Sequence, residues 1–177
     1  MTPIRMICAT LMASLSTGYC LATCINVENT SIAISTPTSA FNILGDGTVL
    51  APATKLMWMR CLVGQTLSNN VCTGTPSILV WANALNAAKA QTFAGHSDWR
   101  IPNVKELMSI MEDRCYSPSL NADLFPISLL YLAWTSTPSA LDLAGEFDNA
   151  WSIDGNGYIT QSSKYQTLNI LLVRDAP

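Results

Sequence analysis

Histidine occurs once in this chain, at His96. A closed zinc site needs four nitrogen or sulfur ligands, so one imidazole beside cysteines expected to be oxidised argues against zinc. The same scarcity argues against a hydrolase triad. His96 has Asp98 two residues away and serines nearby, but no Gly-x-Ser-x-Gly elbow is present to present a nucleophile. His96 is therefore read as a loop histidine. Positive charge is also scarce, with 9 Lys and Arg against 12 Asp and Glu and a formal charge of −3. Nucleic-acid binding is driven by clustered Lys and Arg, so that class of partner is set aside. The chain has no internal repeat and no low-complexity tail. After the first two dozen residues it has no apolar run long enough to span a bilayer.

What the N-terminus does have is a leader pattern. Arg5 is the only charge before Glu28, and Met6 to Ala22 is apolar, interrupted by Ser14, Ser16, Thr17 and Gly18. This reads as a secretory signal peptide over residues 1–22, with a small residue, Ala22, at the cleavage point. A lipoprotein is the alternative, with Leu21-Ala22-Thr23-Cys24 as the processing box and Cys24 lipidated. Either way the chain is expected to be exported, to periplasm, medium or cell surface. Four cysteines remain, Cys24, Cys61, Cys72 and Cys115, and an even number in an exported chain reads as disulfides. Cys61 and Cys72 flank a polar loop in which Ser68-Asn69-Asn70 can turn, so the expected pairs are Cys61–Cys72 and Cys24–Cys115. Lipidation of Cys24 would leave Cys115 free.

Residues 23–40 are rich in Ser, Thr, Asn and Ile without helical period, and suit an extended arm; residues 41–177 are read as the domain. Gly45-Asp46-Gly47 signals a turn. Thr48–Leu50 and Leu56–Arg60 read as a hairpin through Ala51-Pro52-Ala53. Thr75 and Pro76 look like a helix start. Ile78, Trp81, Leu85, Ala88 and Thr92 recur in three- and four-residue steps, which predicts a helix over 76–92. A second helix is predicted over 103–113, with Asn103 as N-cap, Glu106 completing a capping box, and Val104, Leu107, Met108 and Met111 on one face. Gly95 can end the first helix. Residues 116–130 are expected to be irregular. Strands are expected at 132–137, 149–154 and 158–162, the last two around the hairpin turn Gly155-Asn156-Gly157, and at 167–174. Two helices followed by short antiparallel strands give an α+β fold.

The densest stretch is Ser97-Asp98-Trp99-Arg100-Ile101-Pro102-Asn103-Val104-Lys105-Glu106-Leu107. With Thr36-Pro37-Thr38-Ser39-Ala40-Phe41, Gly45-Asp46-Gly47-Thr48-Val49, Leu56-Met57-Trp58, Arg60-Cys61, Cys115-Tyr116-Ser117-Pro118, Leu124-Phe125-Pro126, Trp134-Thr135-Ser136-Thr137-Pro138 and Val173-Arg174, it resembles the Lcl C-terminal domain family in order and spacing over roughly residues 36–174. The chain departs from the family's habit at Lys55-Leu56, at His96 and in its short Asp-Ala-Pro end. That family is named after a bacterial collagen-like adhesin and grouped with C-type-lectin-like folds. The resemblance thus implies two helices packed on short antiparallel strands, stapled by disulfides, and a surface-adhesion role. Enzymes that generate formylglycine share such folds and use reactive cysteines, which the expected disulfides here leave unsupplied.

The reading of function is a non-enzymatic recognition domain that binds a glycan or surface protein through its C-terminal loops. The alternatives are a structural subunit of a surface assembly, such as a homo-oligomer with the arm donated to a neighbour, or an enzyme. Candidate binding residues are Asp142, Glu146, Asp148, Asn149, Asn156, Tyr158 and Tyr165: acids and amides for hydroxyls, aromatics for sugar rings or partner surfaces, on loops carried by a rigid frame. No cofactor is expected. Asp142, Glu146, Asp148, Asn149 and Asp154 keep a weak calcium site conceivable, without EF-hand spacing and without the Glu-Pro-Asn and Trp-Asn-Asp strings of sugar-binding C-type lectins. Structural roles are expected for Asp98 and Arg100, as a charge pair across Trp99, and for Trp134 and Trp151, as core.

Overall fold

A computed structural model describes residues 23–127, 132–140 and 148–177. The predicted leader, residues 1–22, lies outside the described residues, as do residues 128–130 of the stretch expected to be irregular. The described chain is mostly β-sheet with two helices. Strand β1 (Val27–Glu28) lies in the arm, followed by a single 3-10 turn at Thr38–Ala40, β2 (Asn42–Ile43), β3 (Thr48–Ala51) and β4 (Leu56–Met59). Then come β5 (Thr66–Ser68), β6 (Val71–Thr73), β7 (Ile78–Leu79), helix α1 (Trp81–Ala90) and helix α2 (Val104–Met108). The chain closes with β8 (Cys115–Tyr116), β9 (Leu132–Pro138), β10 (Asn149–Asp154), β11 (Ile159–Ser163), β12 (Leu168–Asn169) and β13 (Val173–Asp175).

One sheet has the order β11-β10-β9-β12-β7 and another β13-β4-β3-β2, while β5 pairs with β6 and β1 with β8. Strand β4 shows how the core is arranged. All four of its residues are buried. Successive side chains of a strand point to opposite faces: Leu56 and Trp58 enter one apolar cluster with Phe125, Leu107 and Ile110, and Met57 and Met59 enter a second with Trp99, Trp134 and Ala84. The sheet containing β4 is thus covered on both faces. Among the described residues no helix is long and apolar enough to cross a membrane.

Both expected bridges are present, Cys24–Cys115 and Cys61–Cys72. The predicted hairpin around Pro52 forms as β3–β4, and the predicted Gly155-Asn156-Gly157 hairpin as β10–β11, with Asn149 opposite Ser163 and Ile153 opposite Ile159. Several boundaries differ from expectation. The first helix starts at Trp81, because Leu79 and Ile78 are drawn into a ladder with Leu168 and Asn169. A tertiary strand pairing overrides the local cap signal of Thr75-Pro76, and Val80 becomes an N-cap without a side-chain hydrogen bond. Gly95 does not end this helix, which stops at Ala90. It takes φ +78° in a tight turn where Phe93 and His96 exchange backbone hydrogen bonds of 2.9–3.0 Å. Glycine enters that region at little cost.

The second helix is shorter than predicted because its last turn tightens: Ser109, Ile110 and Met111 donate to the carbonyls three residues back. Its start is as expected. The Asn103 side chain accepts from the Glu106 N–H at 2.9 Å, and a Glu106 carboxylate oxygen accepts from the Asn103 N–H at 2.7 Å. Met108, expected on the apolar face, is 45% exposed. Replacing Asn103 with Ala should cost about 1 kcal/mol in urea unfolding, and Asn103→Asp should retain most of it. An Ala variant as stable as the parent would show that tertiary packing alone sets this helix.

The predicted last strand is two strands in different sheets, β12 and β13. Between them Leu171 faces one core cluster while Ile170 and Leu172 face the other. The segment crosses from sheet to sheet, which its uninterrupted apolar composition permits. Seven strands precede α1, where the sequence reading placed only the two of the β3–β4 hairpin.

Candidate functional site: a groove beside the N-terminal arm

The Asp98-Trp99-Arg100 loop is a structural lock, but not by the expected charge pair. Trp99 is buried and donates its indole N–H to the Phe93 carbonyl at 3.1 Å. Asp98 and Arg100 point to different partners. Asp98 accepts two hydrogen bonds from Arg174, at 2.7 and 3.0 Å, and this contact holds its carboxyl below the usual aspartate range. Arg100 forks onto both oxygens of Glu106 at 2.8 and 2.9 Å and reaches Asp175. Flanking residues of an extended segment lie on one face, yet each here finds an opposite charge supplied by β13 or α2. The loop is therefore tied to the last strand and the capped helix. His96, half-buried in the preceding turn, has no acid–base partner of the triad kind among the described residues.

The candidate binding residues separate into two groups. Asp142 and Glu146 lie outside the described residues. Asp148, Asn149 and Tyr165 gather at one end of the β10–β11 hairpin, where the Tyr165 hydroxyl donates to Asp148 at 3.2 Å and the Lys164 ammonium sits 5.1 Å from the centre of the Trp81 ring. Asn156 and Tyr158 sit at the other end. Strand β10 spans Asn149 to Asp154, so at about 3.4 Å per residue the two groups are roughly 17 Å apart along the strand. They do not form one rim. Of the two tryptophans expected as core, Trp134 is fully buried with its indole N–H on the Leu79 carbonyl at 2.8 Å. Trp151 is only half-buried. It sits where the β10–β9 register shifts between Ala150 and Ser152, and this bulge breaks the inward alternation.

Asn156 and Tyr158 join a groove of about 530 Å³. Its walls come from the arm (Val27, Asn29, Ile32), from the segment after α2 (Asp113, Arg114, Tyr116) and from the hairpin turn. Tyr158 is 67% and Tyr116 51% exposed. Among the described residues neither phenol hydroxyl has a partner. The turn is preset: the Asp154 carboxylate accepts from the N–H groups of Asn156 and Tyr158 at 2.8 and 2.9 Å, and Ser119 donates its N–H to the Gly155 carbonyl at 2.7 Å. Asp154, considered for calcium, thus has a carboxylate oxygen committed to shaping the turn. Gly157 has φ +84°, which L side chains rarely adopt.

The arm wall is held just as firmly. The Cys24–Cys115 bridge places β1 against β8, with Val27 opposite Tyr116 and Glu28 opposite Cys115. Arg114 donates to the Ile32 and Thr30 carbonyls and to the Glu28 carboxylate, at 2.9, 3.4 and 3.2 Å. Beneath, the fully buried Glu112 carboxylate accepts from the N–H groups of Thr36, Ser35 and Arg114 and from the Thr36 hydroxyl, at 2.7 to 3.1 Å. Burial pushes this carboxyl upward, but the four donors together outweigh it and hold it below the usual glutamate range.

Sequence reasoning missed Tyr116, Asn29 and Asp113 as groove residues. The signal was available in the expected Cys24–Cys115 pair, which brings the arm beside Tyr116. A family model described as the Lcl C-terminal domain matches residues 47–174. No curated protein matches the chain. The match opens at the β2–β3 turn, takes in both helices and the strands from β3 to β12, and closes at Arg174, the partner of Asp98; the arm wall of the groove formed by Val27, Asn29 and Ile32 precedes it. The match covers well over half of the sequence, so the chain belongs to the Lcl C-terminal domain family.

Proposed function

We propose that this chain is an exported, non-enzymatic recognition domain on a C-type-lectin-like scaffold, and that its ligand, a glycan or surface protein, binds in the groove between the arm and the β10–β11 turn. The observation that carries this reading is the pair of exposed tyrosines, Tyr116 and Tyr158, on two walls that are each fixed independently, one by a disulfide and one by a preset turn. Apolar rings left in water on a rigid concave surface favour binding, because no ordering cost remains to be met when a ligand arrives. Two disulfides support export to an oxidising compartment. They also leave Cys24, Cys61, Cys72 and Cys115 without the thiol chemistry a formylglycine-generating enzyme uses.

Arrays of glycans and of bacterial and host surface proteins, probed with the exported chain with and without calcium, test this. The expected result is a ligand whose binding is weakened severalfold by Tyr158→Ala and left unchanged by Tyr165→Ala at the far end of the hairpin. A ligand that responds only to Tyr165→Ala would move the site to the other group. Two reactive thiols in the folded, exported protein would favour the enzyme reading instead.

A further inference from the structure

Resting on the groove as the recognition site, we infer that its ligand is an uncharged saccharide. The groove volume of about 530 Å³ is in the range of small-molecule sites. Its chemistry is two-sided. Tyr116 and Tyr158 offer broad apolar faces, and Asn29, Asn156 and Asp113 offer hydrogen-bonding groups around them. The amide of Asn156 and the carboxylate of Asp113 have no side-chain partner among the described residues. A purely apolar ligand would leave these polar groups unpaired against it, which is costly. A pyranose has both parts required: C–H faces to lie on a tyrosine ring and hydroxyls to meet amide and carboxylate.

The charge balance disfavours acidic sugars. The one cation lining the groove is Arg114, and its guanidinium is committed to Ile32, Thr30 and Glu28 of the arm. Freeing it for a sulfate or carboxylate would give up these contacts to the arm, including the ion pair with Glu28. With Arg114 spent, Asp113 makes the groove slightly negative, and a like charge is repelled. An extended peptide added to the outer edge of the two-stranded β1–β8 sheet is the competing occupant; it would be held by backbone hydrogen bonds at that edge, whereas the unpartnered groups facing the groove are side chains.

The test is a glycan array carrying neutral, sulfated and carboxylated sugars in parallel with a library of extended peptides, using the exported chain, Tyr158→Ala and Tyr158→Phe, with thermal melting as a control for folding. The proposal expects neutral glycans to bind, about tenfold more weakly with Tyr158→Ala and within about threefold of the parent with Tyr158→Phe. It also expects Kd to change less than about twofold between about 50 and 500 mM NaCl, since no ion pair is screened. Binding restricted to sulfated or carboxylated glycans and lost in salt overturns the uncharged assignment while leaving recognition in the groove intact. Binding of peptides alone overturns the saccharide class. Neutral glycans bound equally by the parent and Tyr158→Ala, or no binding by any probe, overturn both this inference and the groove reading.

Discussion

Replacing Cys24 and Cys115 together by serine is expected to destabilise the protein by about 4–5 kcal/mol. The bridge spans 91 residues, and the entropy of closing a loop of that length in the unfolded chain gives about that figure. The Cys61–Cys72 bridge, with a separation of 11, should be worth less, about 3 kcal/mol. The native consequence also differs. Losing Cys61–Cys72 leaves a short hairpin, β5–β6, on an otherwise complete core. Losing Cys24–Cys115 leaves β1 attached by a two-residue ladder, the Arg114 contacts and the Thr23 and Asn26 side-chain hydrogen bonds, with the Glu112 anchor further along at Ser35 and Thr36; such polar contacts are each worth little against the conformational entropy of the arm's first residues. Urea unfolding of both double-serine variants should therefore rank them in this order. The Cys24/Cys115 variant should also lose binding at urea concentrations where its core is still folded. Equal destabilisation by both variants would mean that the chain-entropy argument does not govern this scaffold.

Glu112→Ala is expected to cost at least about 3 kcal/mol, because a charged acceptor disappears and its buried donors lose their partner. Four donors converge on that carboxylate, two of them from the arm backbone at Ser35 and Thr36. Glu112→Gln keeps the volume but turns an N–H toward other N–H groups, so it should recover only part of the loss. The pH dependence follows from the direction of the shift. The folded carboxyl titrates below its unfolded value, so its contribution is fully present above the ordinary glutamate range, near about pH 4.3. It is lost as pH falls through the lower folded value. Unfolding measured from pH 7 to pH 2.5 should show a decline in stability beginning below about pH 4.3 that is shallower in Glu112→Gln. Parallel declines in the two proteins would assign the acid sensitivity to other carboxylates.

The sequence was most legible where a local signal and the tertiary arrangement agree. Asn103 and Glu106 announce a capping box that needs nothing from outside the helix, and it forms. Gly155-Asn156-Gly157 announces a hairpin, and the Asp154 carboxylate completes it from within the turn. The cysteine spacing led to both bridges, and the family's motifs led to the family. Legibility failed where distant chain decides. Thr75-Pro76 is a good helix start in isolation, yet Leu168 and Asn169 recruit Leu79 and Ile78 into a strand pair. Asp98 and Arg100 look like each other's partners, but Arg174 and Glu106 lie outside any window that pairs neighbours. The run Ile170 to Val173 is apolar throughout, and composition cannot say that it serves two cores in turn. The groove was half legible: Asn156 stood out as a turn residue and Tyr158 as a candidate binding aromatic, whereas Tyr116 and Asn29 gain meaning only once the arm is folded back along β8.

The account turns on where the ligand sits. An amide-resolved NMR titration of the exported, disulfide-intact chain with a neutral oligosaccharide measures that directly. The prediction is a single cluster of shifted signals at Val27, Asn29, Tyr116, Asn156 and Tyr158, saturating with one ligand per chain. Shifts confined to Asp148, Lys164 and Tyr165, or spectra that do not respond, would contradict it.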